Sequence, residues 1–253
     1  FLEQYPTLIA ERDDLLLEQI TLLNQLGRYE EAMSLLDGHI FHPWEGGEGK
    51  VPAQYQYARV EKAKEMLNTP DSASEKAIAL LEECLIYPHH LGEGKLHGAQ
   101  ENDFYYFLGC AYEKLGDTER AHECWKQATY GPTEPAAAMY YNDAKPENIF
   151  YQGLALQKLG RTDEANGRFY KLVNYGKQHI FEPQVMDYFA VSLPDLQIWD
   201  GDLNEKNRIH CLFMLALGYT GLGDKAHAER YLAEVEQLDI NHQGIRALRT
   251  LQI

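Results

Sequence analysis

Residues 105–128 read YYFLGCAYEKLGDTERAHECWKQA, and the pattern inside them decides the fold. Tyr105, Leu108-Gly109 and Tyr112 fall three and four residues apart, so they line one face of a helix. Leu115-Gly116-Asp117 marks a turn, and Ala121 and Trp125 carry the same spacing onto a second helix. Gly is the residue that closes a helix in the left-handed conformation and reverses the chain. The arrangement recurs. Leu16, Ile20 and Leu23 precede Leu26-Gly27-Arg28, with Ala32 and Leu36 beyond. Ile149, Gly153 and Leu156 precede Leu159-Gly160-Arg161, with Ala165 and Phe169 beyond. Leu212, Leu215-Ala216 and Tyr219 precede Leu222-Gly223-Asp224, with Ala228 and Leu232 beyond. A degraded copy has Ala77 and Leu81 in its second helix and Thr69-Pro70-Asp71 at its turn.

Small residues (Gly109, Gly153, Ala216, Ala121, Ala165, Ala228) stand where paired helices approach closely, and Trp125 and Phe169 are sized to fill the space between hairpins. The pattern resembles the tetratricopeptide (TPR) helix–turn–helix repeat. That resemblance implies an all-α, TPR-like α-solenoid, a right-handed superhelix of hairpins with long inter-repeat insertions. The expected hairpins cover about 13–40, 52–87, 102–129, 146–177 and 207–238, in a single helical domain over 1–253. A terminal helix at 241–251, with Ile245, Leu248 and Leu251 on one face, closes the last repeat. Insertions lie at about 39–55, 88–102, 130–146 and 178–207, since Gly160 and Gly223 are 63 residues apart and a plain repeat takes roughly 34.

Composition narrows the function. With 23 Lys and Arg against 39 Asp and Glu, the formal net charge is −16. A nucleic-acid backbone or an anionic membrane would be repelled, so neither is expected as a partner. No apolar run reaches the roughly 18 residues a membrane span needs. Cys84, Cys110, Cys124 and Cys211 sit singly in helix-like stretches, as reduced structural thiols do, which favours a reducing, cytoplasmic setting. The start lacks both an initiator Met and a basic signal-peptide end, so the chain is expected to be a piece of a longer protein.

In a TPR superhelix the first helix of each hairpin lines the concave face. Tyr106, Cys110, Phe150, Leu154, Phe213 and Leu217 form an apolar stripe there. TPR modules that clamp a chaperone's terminal carboxylate need Lys, Arg and Asn on this face, whereas these helices begin with Asp103, Glu147 and His210. Either the chain's own insertions cover the stripe or an apolar peptide or neighbouring domain does.

Two insertions share a motif, His42-Pro43-Trp44-Glu45-Gly46-Gly47-Glu48-Gly49-Lys50 and His89-His90-Leu91-Gly92-Glu93-Gly94-Lys95. The carboxylate between the glycines suits either backbone N–H groups at a helix start or a hydroxylated ligand. A paired loop that caps adjacent helices and packs Trp44 on the repeat edge is the structural reading. Neither stretch has the spacing of a phosphate loop, and His42, His89, His90 and His97 lack the i, i+4 spacing of a zinc-protease motif. No nucleophile elbow is present either. No metal, cofactor or catalytic residue is therefore expected. Asp187–Asp195, DYFAVSLPD, suits a short apolar segment for the groove or a partner-facing edge.

PWEGGEGK, the run from His90 to Asp103, DYFAVSLPD, and Arg208-Ile209-His210-Cys211 leading into Leu215-Ala216-Leu217-Gly218 resemble one family over about residues 10–245. Its members are large bacterial TPR proteins with an N-terminal β-rich domain of unknown function. The resemblance implies that this chain is the C-terminal helical part of such a protein. The β-rich portion is similar to sugar-acting β-sandwich folds, which implies a carbohydrate role for the whole.

The expected function is a non-enzymatic interaction or scaffold module that binds a protein or peptide, or its own N-terminal domain, through the apolar groove. The alternative is a carbohydrate-binding accessory region. There Trp44, Tyr188 and Trp199 would stack on sugar rings and Glu48 and Glu93 would accept their hydroxyls, with Glu45, Gly47, Gly92, Gly94 and Phe189 in the same insertion loops. Homo-oligomerisation through the repeat ends or the groove is a third reading.

Overall fold

The computed structural model describes residues 4–44, 46–69, 74–137, 143–185 and 202–251. These residues form twelve α-helices and no β-strand. The chain divides into two compact units, Phe1–Ala99 and Gln100–Ile253.

The first unit contains α1 (Pro6–Glu11), α2 (Asp13–Gln25), α3 (Tyr29–Asp37), α4 (Lys50–Leu67) and α5 (Ser74–Cys84), with a 3-10 turn at His89–Leu91. Helices α2 and α3 pair, as do α4 and α5, and α3 also packs on α4. Leu16, Leu17, Ile20, Ala32, Leu36, Phe41, Val51, Tyr55 and Ala58 close its core. The charged residues Arg59, Glu61 and Lys64 of α4 are also buried. Arg59 lies over the Tyr55 ring at 3.5 Å and donates to Asp37 at 2.7 and 2.9 Å and to Glu83 at 2.7 Å. A guanidinium can be buried at this cost because its fork is held by two carboxylates.

The second unit contains α6 (Asn102–Lys114), α7 (Thr118–Ala128), α8 (Pro146–Lys158), α9 (Thr162–His179), α10 (Leu203–Gly221), α11 (Lys225–Leu238) and α12 (Gln243–Arg249). Three hairpins, α6–α7, α8–α9 and α10–α11, follow in order, with α8 packed on both α6 and α10. Helix α12 lies on α10 and α11, burying Ile245 and Leu248.

Four hairpin turns are built alike. Gly27, Gly116, Gly160 and Gly223 have φ of 75, 78, 74 and 76°. Each donates to the carbonyl three residues back, and the next residue donates five back, as in Asp117 N–H to Tyr112 at 3.0 Å and Arg161 N–H to Leu156 at 2.9 Å. This pair of hydrogen bonds satisfies carbonyls that the helix end leaves orphaned. After Gly116 and Gly223 the following Asp caps the second helix, Asp117 accepting from the Arg120 N–H and Asp224 from the His227 N–H. After Gly27 and Gly160 an Arg stands there instead and pairs with Glu31 or Glu164. Of the degraded turn, Pro70 and Asp71 lie outside the described residues.

The small residues meet aromatic rings. A Cβ on Gly109 would come within 2.3 Å of Trp125, and one on Gly153 within 2.3 Å of Phe169. Phe169, fully buried, also covers Gly221, where a Cβ would sit 2.2 Å away. One ring thus fills the gap between α8 and α10.

Candidate functional site

The face built by the first helices of the second unit has two layers. The inner layer is the apolar stripe. Phe150, Leu154, Phe213 and Leu217 are 0, 1, 3 and 1% exposed, and Tyr106 is 4% exposed. Cys110 retains partial exposure. Tyr106 and Phe107 pack on Tyr151 with ring centroids 5.6 and 5.4 Å apart, and Phe150 faces Phe169 at 6.0 Å. Phe213 lies under the His242 ring at 4.5 Å. The side chains that the helical period places along the stripe are therefore inside the unit. The reason is geometric: α8 is covered on both flanks, so one turn of any first helix faces another helix.

In the outer layer Asp103, Glu147 and His210 stand one turn before Tyr106, Phe150 and Phe213, and His242 joins them from the start of α12. Asp103, Glu147, His210 and His242 each keep partial exposure. The protein around them shifts the proton affinities of three of them. Burial pushes the Asp103 carboxyl up to about 7, against the backbone N–H of Phe104 and the charge of Lys145, and Glu147 adds to the rise. Burial holds His210 and His242 below the ordinary imidazole value, with Glu147 opposing in both cases. Glu147 is thus the charge common to Asp103, His210 and His242. Asp143 also faces His210, and Asp239 faces His242. Near neutral pH the two imidazoles are uncharged, so the row is net negative. Perturbed groups gathered in one place mark a candidate site.

The pH dependence follows from the direction of each shift. Asp103 binds its proton more tightly folded than unfolded, where its ordinary value is 3.8. Its contribution therefore favours folding on the acid side and is lost as pH rises from about 4 to about 7. Asp103→Asn cannot titrate, so it should gain stability over the parent through that window and keep the gain above it. Partial exposure limits the gain to about 1–3 kcal/mol at pH 8. Paired urea titrations at pH 4.5 and 8 measure it; equal differences at both pH values would contradict the assignment. His210 and His242 act in the opposite sense, losing stability as pH falls through 6.5.

Near these residues runs a strap, residues 130–137, with no helix or strand. The Asn102 amide, 3% exposed, donates to the carbonyls of Ala128 at 2.8 Å and Tyr130 at 2.7 Å. The Gln152 amide, 0% exposed, donates to Tyr130 at 3.3 Å and Pro132 at 3.0 Å, and its oxygen accepts from Arg168. Lys171 holds Thr133 and Glu134, and His210 Nε2 meets the Ala136 carbonyl at 2.9 Å.

In the first unit the two Gly-Glu-Gly-Lys loops dock on one another. The Glu93 carboxylate accepts from the Gly49 N–H at 2.7 Å, immediately before α4. Burial raises Glu93 while that bond lowers it. The Phe41 N–H donates to His90 at 2.8 Å, and Gly92 (φ +77°) lies so near the Phe41 carbonyl that a Cβ would meet it at 2.5 Å. Trp44 packs on the core of this unit and over Gly47. Glu48 is partly exposed, and a Cβ on Gly94 would meet nothing. Glu45, Tyr188, Phe189 and Trp199 lie outside the described residues.

All four cysteines are free thiols, Cys84 and Cys211 buried, with burial raising Cys211 to about 11. Among the described residues no group of three or more His, Cys, Asp or Glu converges as metal ligands, and no helix is long and apolar enough to cross a membrane.

Residues 103–130, which span α6 and α7, match the family model described as tetratricopeptide repeat. The fold is TPR-like. Two crystal structures of nearly identical TPR-like repeats, assigned to a kinesin light chain of Podosopora anserina, are also similar. One is 15% identical with a TM-score of 0.35, covering 94% of this chain and 98% of that one. The other has the same identity and score and covers 90% and 94%.

His242, Asn102 and Gln152 escape the sequence reading. Gln152 carries a signal, a lone amide inside the apolar run IFYQGLAL. His242 carries none, since it stands in an ordinary polar turn.

Proposed function

We propose that the chain is a non-enzymatic interaction or scaffold module whose second unit takes a protein or peptide partner, or the N-terminal domain of a longer parent, at the row Asp103–Glu147–His210–His242. The supporting observation is that this row keeps partial exposure while the aromatic stripe beneath it is closed. With the histidines neutral, Asp143, Glu147 and Asp239 outweigh Lys145 even where Asp103 holds its proton. A chain of net charge −16 adds a favourable long-range field for a basic partner. The partner segment is therefore one that offers Lys or Arg.

A phage-displayed peptide library selected on the immobilised full chain tests this. Lys- and Arg-bearing sequences should be enriched and should bind more weakly as salt rises. Glu147→Lys should weaken the selected peptides at least about tenfold, or about 1.4 kcal/mol, while the chain keeps its helical circular dichroism spectrum. Enrichment of uncharged sequences, or indifference to Glu147→Lys, would overturn the reading. The sugar-binding alternative loses support where Glu93 and Trp44 are concerned, because the first caps α4 and the second is packed in the first unit.

A further inference from the structure

The strap is held by side chains of other elements. Four of its fixed points are main-chain carbonyls or a carboxylate met by side chains of other elements: Tyr130, Pro132 and Ala136 through oxygen, and Glu134 through Lys171. Gly131, Pro132, Glu134 and Ala136 themselves remain exposed, while the amides beneath them, Asn102 and Gln152, are closed from solvent. Contacts of this kind read a backbone rather than a side-chain sequence, and two buried amides that donate outward form a built surface. The Lys171 contacts to the Thr133 hydroxyl and the Glu134 carboxylate, with the proline-imposed shape, add selectivity.

We infer that Asn102, Gln152, Lys171 and His210 form a binding site for a short, non-helical, proline-containing segment with one acidic residue. Residues 130–136 are its tethered occupant, and a partner segment of the same chemistry enters by displacing them. The inference rests on the reading of the second unit as an interaction module and adds a subsite with its own ligand class. Because Ala136 of the strap meets His210, its release also uncovers that member of the ionisable row. Tethering gives the strap an effective concentration of the order of millimolar, so a free segment competes poorly until the strap is weakened.

The test uses the full chain and the labelled peptide YGPTEPAA, the sequence of 130–137, followed by fluorescence polarisation. In one variant residues 130–137 become a Gly-Ser linker of equal length. In the other, Glu134→Ala with Pro135→Gly loosens the strap through exposed or partly exposed positions and leaves the site intact, which covers a failure of the first to fold. Either folded variant should bind the peptide at least tenfold more tightly than the parent chain, and adding Gln152→Ala should remove that gain. Absence of peptide binding to a folded variant, or equal binding to variant and parent, would overturn the inference. Basic peptides selected on Glu147 would still bind in that case, so the two readings fail separately.

Discussion

A chain carrying Phe150→Asp is expected to lose the cooperative unfolding transition of its second unit. Phe150 is fully buried in α8, against Tyr151 at 5.4 Å and Phe169 at 6.0 Å. Removing the ring alone costs about 3–5 kcal/mol. A carboxylate in its place has no counter-charge and must stay protonated or drag water inward, at several kcal/mol more. The sum approaches or exceeds the roughly 5–15 kcal/mol by which a domain is stable. Circular dichroism should show lost helix, and Trp125, 3% exposed in the same unit, should move its emission to the red. Phe150→Leu is the control and should stay folded. A folded Phe150→Asp chain with an unchanged melting temperature would mean that the stripe is open surface.

Phe169→Ala is expected to cost about 3–5 kcal/mol, because the ring fills the gap between Gly153 of α8 and Gly221 of α10. The coupling to the glycine is the sharper prediction. In the parent chain Gly153→Ala pushes a methyl to within 2.3 Å of the ring and should cost about 1–3 kcal/mol, even though Ala is the better helix former. With Phe169 already Ala, the same substitution should cost nothing or stabilise. Urea denaturation of the four chains gives the interaction directly. Additive costs would show that the glycine is not required by the ring.

The hairpins were legible because their signals are local. Gly27, Gly116, Gly160 and Gly223 each need a left-handed backbone, and the Ala five residues on needs a close neighbour, so turn and packing point the same way. Asp117 and Asp224 mark their caps in the same manner. The Gly-Glu-Gly-Lys loops were legible in part, since a carboxylate between glycines suits a helix start and Glu93 reaches the Gly49 N–H. How deep each residue lies was not legible. Helical periodicity states that Tyr106, Phe150 and Phe213 share a face with Asp103, Glu147 and His210, but a period carries no depth. The boundary between core and surface falls between those two sets, one turn apart, and only the packing of α8 between α6 and α10 draws it. The strap contacts were illegible for a related reason, because donors such as Gln152 and Lys171 lie 20 to 38 residues from the atoms they hold.

The central claim is that the aromatic stripe is interior while the ionisable row above it is what the second unit presents. Hydroxyl-radical footprinting of the native chain measures this side chain by side chain. Phe181 and Tyr170, 85 and 54% exposed, should oxidise rapidly, and Phe150, Phe169 and Phe213 should be protected until the unit unfolds. Oxidation of Phe150 and Phe213 at the rate of Phe181 in the folded chain would contradict the account.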